Sequence, residues 1–206
     1  MACEASQDDQ IGEVLLIGVV KQEVMNMAVE GNAAPLSLPE AQPISNRQDQ
    51  KLVEQLAETI RVIGDRLDQD TGFNDMIDGL VKVADKSSFW NLVEKVFRDD
   101  QINWGRIIVL FYSVGKLAAK MVLARLPSIV LEILNLSLDF FRRHLLKWIR
   151  QMGGWITSIP GLARFTIERF SSSSWSTYSS FFRAMLTFTG GVLLGGLFVW
   201  RFKKSS

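Results

Sequence analysis

The chain is poor in side chains that do covalent or metal chemistry: it has one cysteine, Cys3, and one histidine, His144, in 206 residues. A lone thiol excludes a disulfide framework or a thiolate metal cluster and makes a reducing compartment the default. A lone histidine beside Arg142 and Arg143 on an amphipathic stretch reads as a surface or half-buried residue, not a general base. Nucleophile elbows, phosphate-cradling glycine loops and zinc spacings are missing as well, so no enzyme, cofactor or metal is expected. The first residues carry Glu4, Asp8 and Asp9 where a secretory leader would be basic, so no signal peptide is expected. Strict apolar/polar alternation and hairpin-type turns are lacking too, which leaves an all-helical reading.

Acidic residues are scarce in the last third. Residues 1–141 hold 13 basic and 21 acidic side chains, whereas residues 142–206 hold 10 basic and 1 acidic, and the net charge of +1 conceals this split. The basic part also contains the longest uncharged apolar run. An anionic membrane surface is therefore a more economical partner than nucleic acid.

What the chain has is helical periodicity. Ile11, Val14, Leu15, Gly18, Val19, Gln22 and Met25 recur at helical spacing behind Asp8 and Asp9. Residues 31–50 hold Pro35, Pro39 and Pro43 and read as a mobile loop. Asp49 opens a second helix with Leu52, Leu56, Ile60, Ile63 and Leu67 on one face. Thr71-Gly72 punctuates it, and shorter helices follow over 74–83 and 87–97.

Asn103 is a good N-cap for the most apolar helix, residues 107–126, whose only charges are Lys116, Lys120 and Arg125. At 100° per residue Arg106, Lys116 and Lys120 fall within an arc of roughly 80°, so a basic stripe runs along a greasy cylinder. Such a helix is either buried on nearly all sides or enters a bilayer with its stripe toward water. Pro127 fits the first turn of the next helix, over 128–141, making a hairpin with a very short turn. Residues 142–149 are amphipathic and Gly153-Gly154 breaks them.

The domain expectation is a helical bundle over 1–170, a serine-rich linker over 171–183 and an anchor over 184–200. The last is a 17-residue uncharged run flanked by Arg183 and by Arg201, Lys203 and Lys204. It would span about 25 Å, slightly short of a ~30 Å hydrocarbon layer unless Phe181, Phe182 and snorkelling arginines extend it.

Leu56, Ile60, Ile63 and Leu67 stand at i, i+4, i+7 and i+11, the anchor pattern of a helix laid into an apolar groove, although the same stripe builds any bundle core. Gly64 costs a helix interior up to ~1 kcal/mol against Ala and leaves room for a partner backbone. Asp65 follows as a carboxylate at the stripe's edge, able to pair with a groove arginine.

These residues carry a resemblance. Residues 56–68 (LAETIRVIGDRLD) look like the third homology segment of the Bcl-two (B-cell lymphoma two) apoptosis regulators. Asn103-Trp104-Gly105-Arg106 resembles the first such segment, and Trp148-Ile149-Arg150-Gln151-Met152-Gly153-Gly154-Trp155 the second. Residues 111–117 and 138–146 are most similar to the Bax-like, pore-forming branch. Ile156 stands where the family usually has an acidic residue, and the stretch 160–182 is longer and more basic than in Bax-like relatives.

The resemblance implies an all-α bundle of about eight or nine helices around a central hydrophobic hairpin, with a C-terminal transmembrane tail. It implies a groove built on Asn103, Gly105 and Arg106, with Arg106 pairing with Asp65 of another copy or with the matching aspartate of another family member. The implied protein is a pro-apoptotic effector of the cytoplasm and mitochondrial outer membrane that homo-oligomerises and makes the membrane permeable. The rival reading is a survival protein that sequesters such segments. A membrane-tethered scaffold, with the stripe simply core, is a third.

Overall fold

The computed structural model of the chain describes residues 6–31, 36–99 and 101–162. The linker 171–183, the anchor run 184–200 and its flanks Arg183, Arg201, Lys203 and Lys204 lie outside the described residues. Seven α-helices, and no strand, occur among those described: α1 (Gln7–Gly31), α2 (Arg47–Leu67), α3 (Thr71–Val83), α4 (Ser87–Val96), α5 (Trp104–Leu123), α6 (Pro127–Phe140) and α7 (Leu146–Gln151). None is long and apolar enough to cross a membrane.

α5 is the centre. Sixteen of its twenty residues are buried, and α1, α2, α3, α4 and α6 all pack against it. This resolves the sequence's ambiguity for the folded state: the helix is greasy all round because neighbours surround it. Asn103 accepts a hydrogen bond from the Arg106 backbone N–H at 2.9 Å and caps it as expected. Arg125, at φ 60°, turns the chain into α6, whose first turn holds Pro127.

Several local boundaries differ from the sequence reading. α2 opens two residues before Asp49, because the Asn46 side chain takes the Gln48 N–H at 2.8 Å. Asp49 is buried instead and accepts a hydrogen bond from Gln7 on α1 at 2.6 Å. The expected loop over 31–50 is thus shortened at both ends by α1 and α2, and within it Leu36, Leu38, Ala41 and Ile44 pack on the core. Thr71-Gly72 is the first turn of α3, not a break, since buried Asp70 caps it through the Phe73 N–H at 2.8 Å.

α1 has no single apolar face. Ile11, Leu15, Leu16, Ile17, Val20 and Val24 are buried around much of its circumference, while Gly18, Gln22 and Met25 of the expected stripe are exposed. Contacts with α2, α5, α6 and α7 from different directions explain the spread.

Between α6 and α7 the helix widens into a π-turn, Phe141–Leu145. It drives the Phe141 ring into α1 where Gly12 has no side chain, a Cβ there lying 2.0 Å from the ring. Arg142 is thereby aimed at Asp9, at 3.0 Å, and at Glu13. His144 lies tilted against Phe140 at 4.9 Å, and burial followed by the neighbouring Arg143 lowers its pKa from the usual value.

Candidate helix-binding site

The segment read as a death helix is α2, and its anchor face is turned inward. Leu56, Ile60, Ile63, Gly64 and Leu67 are all buried. At roughly 1.5–3 kcal/mol per fully buried aliphatic side chain, the four anchors hold on the order of 6–12 kcal/mol of gross burial. Swinging α2 out is therefore unfavourable unless another apolar surface receives those side chains.

Gly64 serves the inside of the molecule, not an incoming backbone. A Cβ at this position would lie 2.2 Å from Cε2 of Tyr112, whose ring stacks on Phe73 at 6.0 Å. Tyr112 is buried, and burial first, then the neighbouring Asp68 carboxylate, push its phenol pKa well above the usual value. Asp65 remains outside and pairs with Arg61 one turn earlier, at 3.3 Å.

The basic stripe of α5 does not face water in this state. Lys116, 8% exposed, reaches Asp68 at 2.7 Å and Glu23 on α1 at 3.9 Å, and Lys120 pairs with Asp78 on α3. A folded core therefore does use this stripe, the first of the two alternatives the sequence left open. Asp68 lies at the C-terminus of α2, so the Lys116 pair ties the end of that helix to α5. On the same stripe, the buried Ser113 hydroxyl has no hydrogen-bond partner among the described residues. A cleft of 640 Å³ runs between α1 and α2, floored by Tyr112 and Lys116 and edged by Glu58, Arg61 and Asp65.

Arg106 has an internal partner. Its Nη2 donates to Asp99 at 2.8 Å and its Nη1 donates to the Gln101 carbonyl at 2.8 Å. The guanidinium pulls the Asp99 pKa down from its usual range to about 2. The sign follows: with the carboxyl depressed in the folded state, the pair's contribution is present above about pH 4 and is lost as pH falls toward 2. Any other acid pairing with Arg106 would have to displace Asp99. Asp99→Ala is therefore expected to tighten binding of a labelled peptide covering residues 52–70 by roughly tenfold at low salt, the size of one charge-assisted contact. Unchanged fluorescence anisotropy titrations would show that Asp99 is no competitor.

The second homology segment is a clasp. Gly153 and Gly154 take φ of 95° and 81°, a left-handed bend that favours glycine, and a Cβ on Gly154 would lie 2.9 Å from the Asp8 carboxylate. The bend lets the Trp155 N–H donate to Asp8 Oδ1 at 3.1 Å and the indole N–H donate to the Asp8 carbonyl at 2.9 Å. Asp8 supplies from α1 the carboxylate contact to this segment, while Ile156 is 71% exposed. Trp104 packs between Trp148 at 5.0 Å and Trp155 at 5.6 Å, so the first and second segments meet at one aromatic cluster.

Sequence reasoning missed Asp99, Tyr112, Asp68, Glu23 and Asp8. Asp68 closes the 56–68 segment but is 48 residues from Lys116, and Asp99 is seven residues before Arg106 but outside its helix, so helical periodicity pairs neither.

Comparison with known proteins identifies the family. The family model described as "Apoptosis regulator proteins, Bcl-2 family" matches residues 60–155. Apoptosis regulator BAX of Mus musculus is 31% identical over 190 residues, covering 92% of this chain and 87% of that protein. Bcl-2-like protein 1 of Homo sapiens is 32% identical over 111 residues, covering 54% of this chain and 47% of that protein. Among solved structures, Trichoplax adhaerens trBcl-2L2 bound to trBak BH3 superposes with a TM-score of 0.54 at 19% identity, covering 76% of this chain and 99% of that one. Chicken BOK gives a TM-score of 0.54 at 16% identity, covering 75% and 98%. The chain belongs to the Bcl-2 family of apoptosis regulators, proteins that are not enzymes.

Proposed function

We propose that the protein is a Bax-like effector that permeabilises the mitochondrial outer membrane. The observation that carries this reading is the extent of likeness: the match to BAX runs over 92% of the chain, that to Bcl-2-like protein 1 over 54%. In this mechanism an acidic residue of an incoming helix takes Arg106 from Asp99. The solved relative bound to a Bak BH3 segment supplies the precedent for a helix ligand. The groove's occupation loosens α2, whose anchors then seek the groove of a second copy, with Asp65 meeting that copy's Arg106. The stripe of Arg106, Ser113, Lys116 and Lys120 gains water or lipid headgroups as its carboxylate partners leave, and the orphan hydroxyl of Ser113 is satisfied at last. The run 184–200 anchors the molecule.

Asp65→Arg is expected to abolish self-association and release of a dye trapped in vesicles containing anionic lipid, because it sets two cations against each other in the groove. Release at the level of the unaltered protein would overturn the reading. The survival alternative, favoured by the match to Bcl-2-like protein 1, predicts that overexpression protects cells instead of killing them.

A further inference from the structure

We propose that the end of the folded bundle formed by the α3–α4 and α5–α6 turns docks on an anionic lipid surface. α3 and α5 run in the same direction: Phe73 stacks on Tyr112, and five residues further along Asp78 pairs with Lys120. Continuing both helices brings Val83, the last residue of α3, and Leu123, the last of α5, to one end of the molecule. Each is 41% exposed. The chain then leaves each helix through a left-handed residue that is not glycine, Ala84 at φ 58° and Arg125 at φ 60°, so both turns are tight and the two aliphatic side chains stay at the tip.

Cations surround this apolar tip. Lys82, Lys86 and Arg125 are exposed and make no ion pair among the described residues. The nearby carboxylates are engaged: Asp78 holds Lys120, and Asp85 accepts the Ser87 N–H at 2.6 Å at the start of α4. The opposite end differs, because there Asp9 and Glu13 are matched by Arg142.

Short aliphatic side chains framed by flexible cations suit a lipid surface, with Val83 and Leu123 below the phosphates and the ammonium and guanidinium groups among them. Among the described residues the tip offers no aromatic ring on which a base could stack, which disfavours nucleic acid. Docking here uses the bundle closed and requires no pore, so it stands apart from the effector reading.

The test uses the full chain with Cys3→Ser and one introduced cysteine, V83C, L123C or, at the other end of the bundle, K51C, each carrying a polarity-sensitive dye. Vesicles are phosphatidylcholine with or without phosphatidylserine, and flotation measures binding independently. The expected result is a blue shift at positions 83 and 123 but not 51, on anionic vesicles only and reversed by high salt. The triple change Lys82→Glu, Lys86→Glu and Arg125→Glu, all at exposed positions, is expected to weaken binding by roughly tenfold or more. The proposal is overturned if floated protein shows no shift at 83 and 123, if neutral vesicles give the same shift, if no vesicle binds, or if the triple variant binds as before. Dye release after addition of a peptide covering residues 52–70 is a separate reading: docking without release even then refutes the effector and leaves the docking end intact.

Discussion

Gly64→Val is expected to destabilise the folded protein by about 3 kcal/mol, the upper part of the range for overpacking a filled core. Two effects oppose each other at this position. Removing a glycine from mid-helix favours α2 by up to ~1 kcal/mol. The new Cβ, however, would stand 2.2, 2.6 and 2.7 Å from three carbons of the Tyr112 ring, which is 4% exposed and backed by Phe73. A ring so enclosed has nowhere to go, so α2 must move. Against a typical total of 5–15 kcal/mol the loss is large. Urea denaturation checks it, and Tyr112→Leu in the same molecule should recover part of the loss by a non-additive coupling. Additive losses would mean that the ring is not the obstacle.

Asp68→Ala is expected to cost about 2–3 kcal/mol and to speed hydrogen exchange along α2. The substitution leaves Lys116 buried with Glu23 alone, at 3.9 Å. Breaking a fully buried pair costs roughly 3–5 kcal/mol. Asp68 is 37% exposed, so solvent screening trims that figure. The decisive control replaces both partners: Asp68→Leu with Lys116→Met should restore most of the stability, because a buried pair changed to apolar groups is often neutral. A double variant as weak as the single would show that the ion pair is not what holds the end of α2.

What could be read from the sequence was local. Asn103 capping α5, Pro127 opening α6, the Gly153-Gly154 break and the placement of Leu56, Ile60, Ile63 and Leu67 on one face of α2 each depend on a few neighbouring residues, and each stands where it was expected. What failed depended on the far side of the molecule. α1 carries no clean stripe because several helices surround it, and the π-turn at Phe141 exists to meet Gly12 some 130 residues away. The site divides in the same way. Its residue types were legible, yet the resting partners of Arg106, Lys116 and Trp155 are Asp99, Asp68 and Asp8, and no spacing rule connects these pairs. The segment read as a death helix and the arginine read as its groove partner are thus both engaged inside the molecule.

The Trp155–Asp8 clasp also has a mechanical side. Two hydrogen bonds, formed by residues 147 apart in sequence, join the chain just before residue 162 to the first turn of α1. Tension applied beyond that point would reach the first turn of α1 through these two hydrogen bonds, and the central helix through the indole's ring contacts. Pulling Trp155 away removes both donors from Asp8 in one movement and empties the space beside Phe111 and Phe141, against which the indole packs at 6.1 and 6.3 Å. The start of α1 and the stretch around Trp155 are thus released from one another by breaking a single residue's contacts.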